Sequence, residues 1–174
     1  MGMVAQEEEQ AVKDIVNFFK TTPQLDKTCI GDYMGEDKPF NKAILYYYIE
    51  DMDFSGTHFV EALKKMLAGF RLPGEGQKVD RIMEKFGEKY YKDNPTIFAS
   101  GECVYLLAYA TMMLQTSLHN ESARNNRMKL EDYVKLTKGI NAGKDIDSEF
   151  IRTIYETIET DPITLIEDDE ARLR

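Results

Sequence analysis

Apolar residues recur at helical spacing along most of the chain. The first such segment follows the acidic run Glu7, Glu8 and Glu9, which suits a helix N-terminus, and Pro23 ends it. Further helices are predicted at about 26–33, 40–53, 59–70, 79–91, 102–118, 130–136 and 150–158. No segment alternates apolar and polar residues for long enough to predict a strand. The pattern therefore predicts an all-α protein.

The segment 102–118 differs from the others because it carries two distinct stripes. One stripe is aliphatic apart from a single hydroxyl: Val104, Leu107, Thr111, Leu114 and Leu118. The opposite stripe is aromatic, thioether and amide, with polar ends: Glu102, Tyr105, Tyr109, Met112, Met113, Thr116 and Asn120. The first stripe is typical of a core. The second has the composition of a groove for another protein, or of a central helix that neighbours cover on both sides.

A sharp break lies between the predicted helices 59–70 and 79–91. Pro73 and Gly74 end the helical pattern, and Glu75 follows with glycine on both sides. This carboxylate is either presented at the tip of a short loop or simply offsets the dipole of the next helix, which is worth about 0.3–1 kcal/mol. The glycines are not a nucleotide cradle, because Val79 stands where a third glycine would be needed.

Composition limits the class of protein and the chemistry. The 174 residues fit one domain, and 43% hydrophobic and 30% charged residues are typical of a folded chain. The net charge of −9 argues against binding to nucleic acid or unaided binding to anionic membranes. Two cysteines, Cys29 and Cys103, are too few for a disulfide framework and are each expected to be buried. His58 and His119 lack partners at metal spacing, so no metal or cofactor is predicted.

Two long motifs in this order carry a resemblance to a known family. Phe70-Arg71-Leu72-Pro73-Gly74-Glu75 is followed by Met113-Leu114-Gln115-Thr116-Ser117-Leu118-His119-Asn120, with Asn120 placed 45 positions after Glu75. Together they resemble the Sec-seven domain, the catalytic module of guanine-nucleotide exchange factors for Arf GTPases. The resemblance runs from about 25 to about 168 and includes the segments 30–33, 40–41 and 139–141.

The resemblance implies a fold and an activity. The fold is a single domain of stacked helices that forms a superhelix with a hydrophobic groove. Within it, residues 1–24 would be an N-terminal helix of the same domain, 25–166 the Sec-seven-like catalytic domain and 167–174 an acidic tail. The implied partner is an Arf-family small GTPase, GDP-bound or nucleotide-free, and exchange makes or breaks no covalent bond. The protein would be cytoplasmic and peripheral at Golgi, endosomal or plasma membranes when other regions or partners recruit it.

The resemblance also implies roles for individual residues. Glu75 would be the glutamate finger, which displaces Mg²⁺ and the β-phosphate of GDP. The residues expected to contact the GTPase are Arg71, Pro73, Gly74, Glu102, Tyr105, Tyr109, Met112, Met113, Thr116 and Asn120. Arg71 is also expected to fix the finger loop within the domain, as are Asp80 and Arg81 through local ion pairs.

Some residues depart from the family pattern. Gly76 stands where alanine is common, which predicts a more flexible finger loop. Tyr109-Ala110 and Ser117 form a mixed set at positions linked to brefeldin A, which predicts weak sensitivity or resistance. Two alternatives stay open: a helical module that binds the GTPase without efficient exchange, and a carboxylate-based hydrolase using Glu75 and Asp80. The hydrolase is disfavoured because the sequence supplies no evident nucleophile or metal site.

Overall fold

A computed structural model describes residues 6–164 of the chain, and this part folds entirely as helices and connecting segments. The α helices are α1 Gln6–Thr21, α2 Lys27–Gly35, α3 Pro39–Glu50, α4 Phe59–Leu67, α5 Gly76–Asp93, α6 Gly101–His119, α7 Leu130–Leu136 and α8 Ser148–Thr160. A 3-10 turn, Glu121–Ala123, follows α6. Residues 6–164 contain no strand, only one isolated bridge between Asn141 and Lys144. The predicted all-α class is confirmed, whereas the acidic tail 167–174 lies outside the described residues.

Two helices end earlier than their apolar spacing predicts. The third helix stops at Glu50 instead of near residue 53, and the fourth stops at Leu67, although Phe70 continues its periodicity. At the end of α4 the chain passes close to α3, since a Cβ added to Gly69 would lie 2.0 Å from the Tyr48 hydroxyl. Phe70 is nevertheless buried beside the Tyr48 ring, with ring centroids 5.7 Å apart. Periodicity thus located the core residue correctly but not the end of the helix.

The aliphatic stripe of α6 lies in the core, as predicted. Val104, Leu107, Thr111 and Leu114 are fully buried, and Leu118 is partly buried against the same cluster. The Thr111 hydroxyl donates to the Leu107 carbonyl at 2.7 Å and lies 2.8 Å from the Tyr133 hydroxyl of α7. The one polar residue of the stripe is therefore hydrogen-bonded inside the protein, as a buried hydroxyl needs to be.

Helices α5 and α6 cross at unusually close range. A Cβ added to Gly87 of α5 would lie 2.6 Å from the carbonyl oxygen of Gly101 and 2.8 Å from the backbone nitrogen of Tyr105. No side chain fits in that space, so glycine allows the two backbones to touch. The contact places the helix that follows Glu75 directly against the helix that carries the aromatic stripe.

The two cysteines lie in different environments. Cys103 is fully buried, and burial raises the pKa of its thiol to about 11. Cys29 is exposed on α2, so the expectation that both would be buried is wrong for this residue. Its position follows the N-cap Asp26 by three residues, on the outward side of the first turn.

Within residues 6–164, no helix is both long and apolar enough to cross a membrane.

Candidate functional site

Glu75 lies at the tip of the loop between α4 and α5. It is the N-cap residue of α5, and its backbone carbonyl accepts from the amides of Lys78 and Val79 at 3.1 Å. Its carboxylate makes no capping hydrogen bond, and 74% of the side chain is exposed. A Cβ added at Gly74 or Gly76 would meet no atom within 4 Å. Since the backbone starts the helix and the carboxylate stays outside it, the presented-carboxylate interpretation fits better than simple capping.

The loop that carries Glu75 is anchored through its backbone. The amide of Arg71 donates to the carbonyl of Lys27 at 3.1 Å, and a Cβ added to Gly31 of α2 would lie 1.9 Å from the Arg71 carbonyl oxygen. The main chain of Arg71 therefore fixes the loop within the domain. Pro73 is buried, and its contact with the GTPase stays a prediction. Gly74 is exposed beside Glu75.

Two cationic side chains attach the first turns of α5 to the end of α2. Lys78 bonds to Glu36 at 3.3 Å, and the Arg81 guanidinium donates to the Gly35 carbonyl at 2.7 Å. Arg81 also lies 3.9 Å from Asp37. Its Nε is buried and has no hydrogen-bond partner among residues 6–164. The prediction of local ion pairing is thus confirmed for Arg81, with Asp37 as its partner.

Asp80 has a different role from the predicted ion pair, because it links the loop helix to the aromatic stripe. The Tyr105 hydroxyl of α6 donates to the Asp80 carboxylate at 2.8 Å. This hydrogen bond, together with burial and the nearby negative charge, raises the pKa of Tyr105 to about 12. Asp80 follows Glu75 by five residues, which is about 7.5 Å along a helix axis. The stripe therefore begins close to the loop tip.

The aromatic and thioether stripe of α6 continues along an open surface. The Tyr105 and Tyr109 rings meet edge to face, with centroids 5.9 Å apart, and burial raises the pKa of Tyr109. Beyond Tyr109 the stripe borders a concavity of about 450 Å³. It is lined by Tyr109, Met112, Met113, Thr116, Ser117 and Met128. Met113 is 49% exposed, so the alternative of a helix covered on both sides is wrong for this stripe.

A second concavity, of about 440 Å³, lies at the other end of the stripe. It is lined by Glu84, Glu88, Tyr91, Gly101, Glu102 and Tyr105. Tyr105 is shared with the stripe, and Glu102 forms its predicted polar end. The groove defined by the two concavities thus has an acidic end at Glu102 and an apolar end at Met112 and Met113.

The segment after α6 is tied back to the end of that helix. Arg127 donates to the carbonyls of Ser117 at 2.9 Å and Leu118, and the Ser117 hydroxyl accepts from the Met128 amide at 2.6 Å. Asn120 is exposed, and its side-chain oxygen accepts from the Ser122 amide at 2.9 Å. The contacts of Arg127 and Ser117 place Met128 at the groove.

Ser117 and Met128 line the groove, although neither was among the residues predicted to contact the GTPase. Neither lies on the predicted stripe, and Met128 comes from the loop beyond α6. Only its residue type, a methionine outside any predicted helix, hinted at a role in an adaptable surface. Among residues 6–164, no group of three or more His, Cys, Asp and Glu side chains is placed to hold a metal ion.

Comparison with known proteins gives a consistent family. The relatives include "Brefeldin A-inhibited guanine nucleotide-exchange protein 2" of Arabidopsis thaliana, 42% identical over 92% of this chain, and human cytohesin-2, 41% identical over 90%. The chain spans 9% of the length of the first of these relatives and 39% of the length of cytohesin-2.

Solved structures agree. The Sec7p catalytic domain superposes with a TM-score of 0.83 at 35% identity, covering 89% of this chain and 83% of that one. A Sec7 domain bound to ARF1-GDP and brefeldin A superposes with a TM-score of 0.81 at 32% identity, covering 90% of this chain and 79% of that one. The family model of the Sec7 domain, which is the Sec-seven domain of the sequence motifs, matches residues 2–163. The chain therefore belongs to the Sec7 domain family.

Proposed function

We propose that this protein is a guanine-nucleotide exchange factor for Arf-family small GTPases. The observation that carries the proposal is an exposed, uncapped Glu75 carboxylate next to an open aromatic and methionine groove. The 42% identical relative is named a guanine nucleotide-exchange protein, and a related Sec7 domain has been solved with ARF1-GDP. A partner of this kind would cover the apolar residues that the groove leaves open.

In the proposed mechanism, Glu75 acts on the nucleotide site of the GTPase. Small GTPases hold nucleotide tightly, and a picomolar dissociation constant corresponds to about −16 kcal/mol. A carboxylate repels the β-phosphate, competes for Mg²⁺ and can satisfy the lysine that the phosphate otherwise holds. One pair of unit charges at about 4 Å and an effective dielectric constant near 20 is worth roughly 4 kcal/mol. A rate gain of about 10⁴ needs about 5.5 kcal/mol, so the rest must come from remodelling of the switch regions.

The groove supplies that remodelling in our proposal. Tyr105, Tyr109, Met112 and Met113 would pack against the switch regions, because rigid aromatic and adaptable thioether side chains are typical of protein interfaces. The domain must bind the nucleotide-free GTPase more tightly than the loaded one, since only that difference drives release. Exchange makes or breaks no covalent bond. We place this activity at Golgi, endosomal or plasma membranes, with recruitment by other regions or partners.

The test is release of a fluorescent nucleotide from a panel of Arf·GDP proteins with catalytic amounts of this protein. Acceleration is expected, and Met113→Ser should slow it about fivefold or more, the effect of losing about 1 kcal/mol at an interface. The matched control is Phe18→Ser on α1, because Phe18 is similarly exposed at 51% and lines neither concavity of the groove. If the protein accelerates nucleotide release from none of the Arf proteins, the proposal is contradicted.

The alternative, a module that binds the GTPase without efficient exchange, predicts binding to nucleotide-free Arf and no acceleration. The exposed Glu75 disfavours it, because pure binding gives that carboxylate no task. The weak sensitivity to brefeldin A stays a prediction, although several relatives are named as inhibited by the drug. Complete inhibition of exchange at micromolar drug would overturn that prediction.

A further inference from the structure

Lys78 lies between two carboxylates. Its Nζ is 3.3 Å from Glu36 Oε1 at the end of α2 and 3.7 Å from Glu75 Oε1 at the loop tip. The Lys78 side chain is only 11% exposed, whereas Glu36 is 44% and Glu75 is 74% exposed. The ammonium of this largely buried side chain is thus shared by the proposed finger and by a second carboxylate.

Packing holds the stem of the Lys78 side chain in place. The Lys78 stem lies against Gly35, where an added Cβ would be 3.0 Å from both Lys78 Cβ and Cδ. Its Cα belongs to the first turn of α5, which Arg81 also attaches to the Gly35 carbonyl. Lys78 therefore cannot follow Glu75 when that side chain moves. The two glutamates have more freedom, since both are more exposed.

The ammonium stays charged at neutral pH. Burial alone would lower the pKa of Lys78, but the hydrogen bond and charge of Glu36, together with the charges of Glu75 and Asp32, raise it. Because Glu36 and Glu75 both attract this one charged ammonium, each competes with the other for it.

We propose that Lys78 orients Glu75 in the free domain, and that Glu36 retains the Lys78 ammonium when Glu75 leaves to enter the GTPase. Lys78 and Glu36 are positioning residues, and the inference rests on the proposed function. Glu36 makes the shorter contact, so the departure of Glu75 leaves the ammonium paired. Without the Glu36 charge, Lys78 would hold Glu75 more strongly and oppose its release.

The test is the maximal rate of nucleotide release, measured at saturating exchange factor. Glu36→Gln should slow release about two- to fivefold, which is the range for an ion pair with one exposed partner. The loss should shrink as salt is raised, because salt screens charge pairs. In the Lys78→Met background, which keeps the packing stem, Glu36→Gln should have no effect, since no ammonium remains to hold Glu75.

Glu61→Gln on α4 is the control, because Glu61 is also an exposed glutamate that pairs with a lysine, Lys64, at 3.8 Å. It removes the same charge and should leave release unchanged. Equal rates for Glu36→Gln and wild type would overturn the inference. So would a Glu36→Gln defect of the same size in the Lys78→Met background.

A second measurement needs no GTPase and separates this inference from the proposed function. NMR relaxation of the Glu75 side-chain methylene groups in the free protein should report greater order in Glu36→Gln and less order in Lys78→Met. Unchanged Glu75 relaxation in both variants would overturn the inference even if exchange is observed. Failure of wild type to accelerate exchange, with the relaxation changes present, would instead count against the proposed function alone.

Discussion

The backbone and the side chain of Glu75 have separate roles. The carbonyl begins α5 by accepting from the Lys78 and Val79 amides, while the carboxylate makes no cap. An aspartate or serine at an N-cap would normally turn its side chain back to the helix, as Asp26 does for α2. Glutamate is a poorer cap because its side chain is longer, and here that length leaves the charge available to a partner.

Gly76 next to Glu75 gives a prediction at this scale. Its φ is not in the left-handed region, and an added Cβ meets no atom within 4 Å. Gly76→Ala should therefore raise the free energy of unfolding by about 0.4–1 kcal/mol in urea titrations, because alanine restricts the unfolded chain. Gly139→Ala is the control: Gly139 has φ +74, so the same change there should destabilise by about 1–2 kcal/mol. A destabilised Gly76→Ala would show that glycine is required beside Glu75.

At the scale of elements, close contacts between backbones position α5, α6 and the loop before Glu75. Gly87 lets α5 and α6 touch, and Gly31 lets α2 touch the loop before Glu75. The positions of α5 and α6 were predictable from spacing because their apolar faces are long and regular. The contacts of Gly31 and Gly87 were not, because a glycine gives no periodic signal that would show which backbone it approaches.

Gly31→Ala should destabilise the domain by about 1–3 kcal/mol, as overpacking does. The added Cβ would lie 1.9 Å from the Arg71 carbonyl oxygen, and a backbone atom cannot swing aside as a flexible side chain could. Urea unfolding checks the loss. Gly74→Ala, placed where no atom lies within 4 Å, should not show it. Equal stability of the two variants would contradict the account of the loop anchor.

The Thr111–Tyr133 hydrogen bond between α6 and α7 gives a second prediction for elements. Thr111→Val should cost about 1–3 kcal/mol of unfolding free energy, because it leaves the buried Tyr133 hydroxyl without this partner. Adding Tyr133→Phe should recover most of that loss, because it removes the buried hydroxyl that Thr111→Val leaves without a hydrogen-bond partner. Denaturant unfolding of both single variants and the double variant measures the coupling. Strictly additive losses would contradict it.

At the scale of the whole molecule, local spacing predicted the all-α class, whereas the open face of α6 was predicted only with the family resemblance, because spacing alone also allowed a helix covered on both sides. Tyr105, Tyr109, Met112 and Met113 were found by that spacing together with a family resemblance. Met128 was missed because Arg127 and Ser117 bring it to the groove from beyond the helix. The burial of Pro73 was not predictable, because sequence adjacency to Glu75 says nothing about which side chain faces outward.

The measurement that tests the central claim most directly compares wild type with Glu75→Lys on one responsive Arf protein. We expect nucleotide release to fall about 10³-fold or more, since the reversal forfeits roughly 4 kcal/mol. Binding to nucleotide-free Arf should largely survive, because the groove is intact. Glu61→Lys, at a similarly exposed glutamate on α4 paired with Lys64, should leave release unchanged. An unchanged release rate for Glu75→Lys would contradict the assignment of Glu75 as the finger.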